Sequence, residues 1–105
     1  MPPDETGGLP DEHLPITRLR NLGSVSMRQL AEIGVANIGD LRVLGSVIAY
    51  ASLKLRFPRT SLNALYAIEA GLRGVHWQRV TPDEKTVLRK AAIEAIASAR
   101  KRGGF

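Results

Sequence analysis

The chain has 105 residues, 44% of them apolar, and no cysteine. That length suits one domain with a real core, and the lack of cysteine excludes disulfides, thiolate-metal sites and cysteine nucleophiles. Four acids (Asp4, Glu5, Asp11, Glu12) precede the first basic residue, Arg18, so the remainder sets 15 Lys and Arg against 6 Asp and Glu, formally +9. This charge attracts nucleic acid, an anionic membrane or an acidic protein, although a solvated basic surface needs none of them.

In chain order, "MPPDETGGLPDEHLP" is acidic and rich in proline. It has neither the basic nor the apolar region of a secretory signal. Residues 1–14 are expected to form a disordered acidic tail, because they offer too little apolar surface to offset ordering. Residues 15–105 are expected to form the folded domain. No apolar run of about 18 residues occurs, so no membrane span is expected; with no secretory signal and no cysteine, a cytoplasmic protein with no membrane partner is expected.

From Pro15 onward the pattern predicts an all-α fold of about five short helices, with a longer helix at the C-terminus. Ile16, Leu19 and Leu22 give a brief apolar stripe behind Pro15. Gly23 can end that first helix in the left-handed conformation. Ser24 or Ser26 can cap the next one, whose Met27, Leu30 and Ile33 share a face until Gly34 stops it. Asn37 is a good N-cap for a third helix, and Asp40 in its first turn complements the helix dipole. Gly45 and Ser46 repeat the stop and the cap, and a helix over about 47–56 ends before Pro58. Thr60 or Ser61 then starts a helix packed through Leu62, Leu65, Tyr66 and Leu72, weakened by Gly71 and ended by Gly74. "TPDE" at 81–84 carries a capping box with proline at the first helical position. The last helix is predicted to run to about Arg102, with Leu88, Ala91, Ala92, Ala95 and Ala99 as its apolar stripe.

One phrase occurs twice. "LRNLGSV" at 19–25 returns as "LRVLGSV" at 41–47, with six of seven positions identical. Glycine stops and serine caps explain both copies as folding signals. The first copy also fits a phosphate cradle: glycine lets the backbone approach a ligand, and a helix N-terminus offers free N–H groups and partial positive charge. Arg18, Arg20, Gly23, Ser24, Ser26 and Arg28 are the residues predicted to contact nucleic acid there, through the backbone and not through base edges. The second copy has only Arg42 and apolar neighbours, and reads as packing.

These residues also carry a resemblance. "LRNLGSVSMRQLAEIGVANIGDLRVLGSVIAYASLK" with "SLNALYAIEAGLRGVHW" resembles the C-terminal domain of the TfoX/Sxy competence regulators, also known as DNA transformation proteins. It covers about 16–84. The resemblance implies an all-α, helix-hairpin-helix-like domain. It also implies a role in switching on DNA-uptake genes together with the transcription machinery. The same Leu-Gly-Ser pattern before a helix also occurs in SAM-like modules, of the sterile-alpha-motif kind, that bind protein and not DNA. The turn is similar to the "NLG…S" turn in the C-terminal domain of the bacterial RNA polymerase α subunit, which binds DNA backbone. Members of the family usually carry an α/β domain in front; here an acidic tail is expected in its place, as in a stand-alone domain or a fragment.

No catalytic set is evident, and no enzyme is expected. His13 lies in the tail and His76 near a helix end, with no oriented acid or base beside either. Two distant histidines without cysteine make no metal site, and no phosphate-loop or dinucleotide motif occurs. No cofactor and no small-molecule substrate are expected. Glu69 falls among apolar positions and is expected to pair with Arg73 or bond a neighbouring helix end. Trp77 is expected to plug the end of the core, with a partner contact as the sharper alternative. Arg100, Lys101 and Arg102 complement the dipole of the last helix. The expected partner is DNA, held by its backbone, or else a transcription-related protein.

Overall fold

A computed structural model describes residues 12–102. Five α-helices follow in order: α1 (Ser24–Glu32), α2 (Ile38–Leu44), α3 (Ser46–Arg56), α4 (Leu62–Arg73) and α5 (Pro82–Lys101). Two single 3-10 turns, Ile16–Arg18 and Trp77–Arg79, stand before α1 and before α5. No strand occurs among the described residues. The all-α fold with a long last helix is as the sequence predicts. Among the described residues no helix is long and apolar enough to cross a membrane.

α3 is the hub, packing on α4 and α5 and also touching α1 and α2. One core cluster joins Ile16, Leu19, Leu22, Leu30, Val35, Ile38, Leu41, Ala49, Leu53 and Ile68. A second joins Tyr50, Leu65, Tyr66 and Ala92, with Leu88 and Ile96 packed against it. α3 feeds both clusters from successive residues, Ala49 to the first and Tyr50 to the second. Burial raises the pKa of the Tyr50 phenol, with Tyr66 adding to the shift.

Helix ends follow local chemistry. α1 closes with Gly34 N–H donating to Ala31 O and Val35 N–H to Leu30 O, and α4 closes likewise with Gly74 to Gly71 and Val75 to Ala70. Both are Schellman motifs, in which residues beyond the helix satisfy its last carbonyls. Asn37 caps α2: its Oδ1 accepts from Asp40 N–H at 2.9 Å, while Asp40 Oδ2 accepts from Ala36 N–H at 2.9 Å. α5 opens on the predicted capping box of Thr81 and Glu84. Thr60 serves the end of α3 and not the start of α4, since its hydroxyl donates to Phe57 O at 2.7 Å.

Several expectations are corrected. The first helix is only a 3-10 turn, with Pro15 at its cap. Gly23 is extended (φ −115°, ψ −164°) and is the N-cap of α1, so it is not left-handed. The positive φ falls on Asn21, at 72°. Neither Ser24 nor Ser26 caps α1, which has no side-chain cap, and Ser46 does not cap α3. In the second copy the residue with positive φ is Gly45, at 83°. The one difference between the copies, Asn21 against Val43, accounts for this. Asparagine tolerates positive φ, whereas a β-branched valine does not. Val43 therefore stays in α2 and the chain turns at Gly45, while the first copy turns two residues earlier.

Of the predicted acidic tail, residues 1–11 lie outside the described residues. Glu12 and Leu14 run beside α2, where their carbonyls accept from Gly39 N–H at 3.0 Å and Ile38 N–H at 3.1 Å. Leu14 also packs against the first core cluster.

Candidate functional site

The turn before α1 is built by Leu19 and Leu22, which anchor it in the core. Leu22 N–H donates to Leu19 O at 3.4 Å across the turn, and Asn21 takes the third place, where such turns admit a positive φ. The Asn21 carboxamide then ties this turn to the segment that follows α4. Its Nδ2 donates to Val75 O at 3.0 Å, and its Oδ1 accepts from Trp77 N–H at 3.1 Å. Gly71 of α4 lets the turn come close: a Cβ there would lie 2.9 Å from Arg20 O.

Around this anchor the six predicted contact residues are placed as follows. Arg18 ends the first 3-10 turn and is exposed; Arg20 and Gly23 are exposed in the turn. Ser24 is the exposed first residue of α1, Ser26 is half-buried in its first turn, and Arg28 is exposed one turn further. The first 3-10 turn, which ends at Arg18, packs on α1, the helix that carries Arg28. Among the described residues, nothing beyond its own chain neighbours lies within 4 Å of where a Gly23 Cβ would stand. No side chain caps the first turn of α1, so its N–H groups keep their donor capacity for an anion. α2 differs, because the Glu12–Leu14 segment takes its first amides.

Beside the turn lies a groove of about 650 Å³, lined by Arg20, Asn21, Asn63, Ala67, His76 and Trp77. Arg20 alone belongs to both the predicted contact set and the groove. Trp77 is 41% exposed, so it is not the core plug the sequence suggested. Its ring centroid is 5.7 Å from that of His76. Lys85 Nζ stands 5.8 Å from the Trp77 centroid and 5.1 Å from that of Tyr66, within cation–π range. His76 is bonded at a helix end: its Nδ1 accepts from Gln78 N–H at 3.2 Å and caps the second 3-10 turn. Asn21 and Asn63 were not among the residues the sequence singled out, and Trp77 was, only as the alternative of a partner contact. An asparagine two places before the turn glycine was the available signal for the first, since its left-handed tolerance marks turns.

On the far side of α4, Glu69 holds a structural junction. Its Oε1 accepts from Ser46 Oγ at 2.6 Å and its Oε2 pairs with Arg73 Nε at 2.8 Å. Arg73 also reaches Glu84 Oε2 at 2.8 Å. The bond to Glu69 and the pairing with Glu84 raise the pKa of Arg73 against the opposing effect of burial. The Thr81 N–H and then Arg73 lower the pKa of Glu84. Both expectations for Glu69, the ion pair and the helix-end bond, are met by this one carboxylate. Among the described residues no group of three or more His, Cys, Asp or Glu is placed to hold a metal ion.

Two solved structures share the fold. Both are of proteins from Listeria monocytogenes, one uncharacterised and in a triclinic form, the other of unknown function and in a tetragonal form. Each is 24% identical, covers 75% of this chain and gives a TM-score of 0.69; the matches span 90% and 98% of those chains. No curated protein matches. The model of the TfoX C-terminal domain matches residues 13–92, most of the described chain. The chain belongs to the TfoX C-terminal domain family.

Proposed function

We propose that this domain is a non-enzymatic binding module that grips the DNA backbone at the turn before α1. The observation that carries this reading is an exposed helix start with no side-chain cap, at a glycine with open space before it, amid exposed arginines. Phosphate fits such a start because free N–H groups and the helix dipole favour an anion. Arg18, Arg20 and Arg28 add charge that tracks a phosphate backbone without reading sequence. The formal charge of the chain beyond residue 16 supports attraction over a distance. Family membership supports placing the contact in regulation of transcription related to DNA uptake, within the cytoplasm.

Fluorescence anisotropy with a labelled duplex, at low and near-physiological salt, tests the reading. Binding is expected to be sequence-tolerant and to weaken steeply with salt. The Arg20→Ala/Arg28→Ala variant is expected to bind more weakly, with the slope of log K against log salt reduced by about two. Equal binding by that variant contradicts the proposed surface.

A second reading is docking on a transcription factor, RNA polymerase or a separate TfoX N-terminal domain. Val87 favours it, standing 68% exposed over a cleft also lined by Arg73, Asp83, Glu84 and Leu88. This reading expects no duplex affinity even at low salt.

A further inference from the structure

The groove beside the turn has chemistry that backbone gripping does not use. We propose that it is a subsite for an unpaired base. Trp77 gives the stacking surface and Arg20 holds the adjoining phosphate, so the domain also takes a single-stranded stretch of nucleic acid. This rests on the nucleic-acid reading above and extends it from phosphate to base.

Four observations carry the inference. First, the chain's single tryptophan is left 41% exposed in a small domain that buries most of its other large apolar groups. Second, its placement is built. The Trp77 amide is held by Asn21 Oδ1, Asn21 Nδ2 holds Val75 O, and His76 caps the turn that begins at Trp77. These bonds fix the backbone that carries the indole, which lessens the entropy lost when a ring stacks on it. Third, among the described residues the lining contains Arg20 and no carboxylate, and Lys85 adds an ammonium near the indole. The groove therefore suits an anionic ligand. Fourth, the exposed Asn63 amide in the lining offers both a donor and an acceptor, which pair with the edge of any base.

The volume of about 650 Å³ is within the range of small-ligand clefts and admits one nucleotide. An acidic peptide satisfies the cations but leaves the indole without a stacking partner. A base with its phosphate satisfies both. The base must be unpaired, because bases within a duplex have their faces covered by their neighbours.

Trp77 is the sole indole, so its emission reads the groove in the unmodified chain. The protein is titrated with short oligo(dT), with an abasic strand of the same length, with the matching duplex, and with a poly-glutamate peptide. Oligo(dT) is expected to quench the indole and to bind about tenfold more tightly than the abasic strand, the scale of one stacked base. By anisotropy of labelled strands, which needs no indole, Trp77→Ala is expected to lower oligo(dT) affinity to the level of the abasic strand while leaving duplex affinity unchanged. Trp77→Phe, which keeps a smaller ring, is expected to fall between them. Melting curves of each variant confirm that it folds. Equal binding of oligo(dT) and the abasic strand overturns the base subsite, even if the duplex binds. Quenching by poly-glutamate as strong as by oligo(dT) also overturns it, in favour of an acidic protein segment. Quenching by oligo(dT) with no duplex binding at either salt supports the subsite and refutes the grip at the turn.

Discussion

A single residue explains why one phrase written twice builds two different turns. Asn21 takes φ 72° and its counterpart Val43 stays helical, so Gly23 is extended where Gly45 takes a positive φ. The sequence showed the repeat but not this outcome, because helix capping and glycine stops treat the copies alike. Gly71 is the second decisive residue. Its sequence signal was only that glycine weakens a helix, and by that rule Gly71→Ala should gain about 0.5–1 kcal/mol. The structure reverses the sign, since the new Cβ would meet Arg20 O at 2.9 Å. A backbone atom cannot swing aside, so the turn must shift, at a cost of about 1–3 kcal/mol. Gly71→Ala is therefore expected to lower the melting temperature by several degrees. A calorimetric scan showing an unchanged or raised value contradicts this account of the turn's support.

At the scale of elements, the readable features were those with local chemistry. The Thr81–Glu84 box, the Asn37 cap and the stops at Gly34 and Gly74 each involve residues within a few positions of one another. The first helix failed because three apolar residues behind a proline do not supply enough turns to nucleate one. The junction of α3, α4 and α5 was half legible. Glu69 with Arg73 follows from helical spacing, but Ser46 and Glu84 come from other helices. This junction gives the fold an acid-sensitive limb. Bonding from Thr81 and pairing with Arg73 lower the folded pKa of Glu84 from its ordinary 4.5. A depressed carboxylate stabilises the fold above its unfolded value, and this contribution is lost as pH falls through the folded one. The melting temperature is expected to drop as pH is taken from about 6 toward 3, around the ordinary range of glutamate. Glu84→Gln is expected to flatten part of that drop while lowering the plateau near neutrality. Parallel pH profiles for the two proteins contradict it.

Across the whole molecule, composition and helical periodicity sufficed for the fold class. The site was legible only along the chain. Arg18, Arg20, Gly23, Ser24, Ser26 and Arg28 were proposed as contacts because they are neighbours in sequence. The groove was not, because it joins residues near 20 to residues near 63 and 76, which only the packing of α4 brings together. Trp77 was assigned to the core end, with a partner contact as the alternative; its ring is 41% exposed while its backbone N–H is held by Asn21 Oδ1. The same tether makes the turn and the groove one rigid surface on one side of the bundle. Val87, exposed on α5, is where the second reading, docking on a protein, would place its contact.

The most direct measurement is an NMR titration of the labelled domain with a short duplex, following each backbone amide. The grip at the turn predicts that the amides of Gly23, Ser24, Val25 and Ser26 shift first and furthest, with Arg28 following. Shifts centred on Val87 and the start of α5, or none at low salt, contradict it.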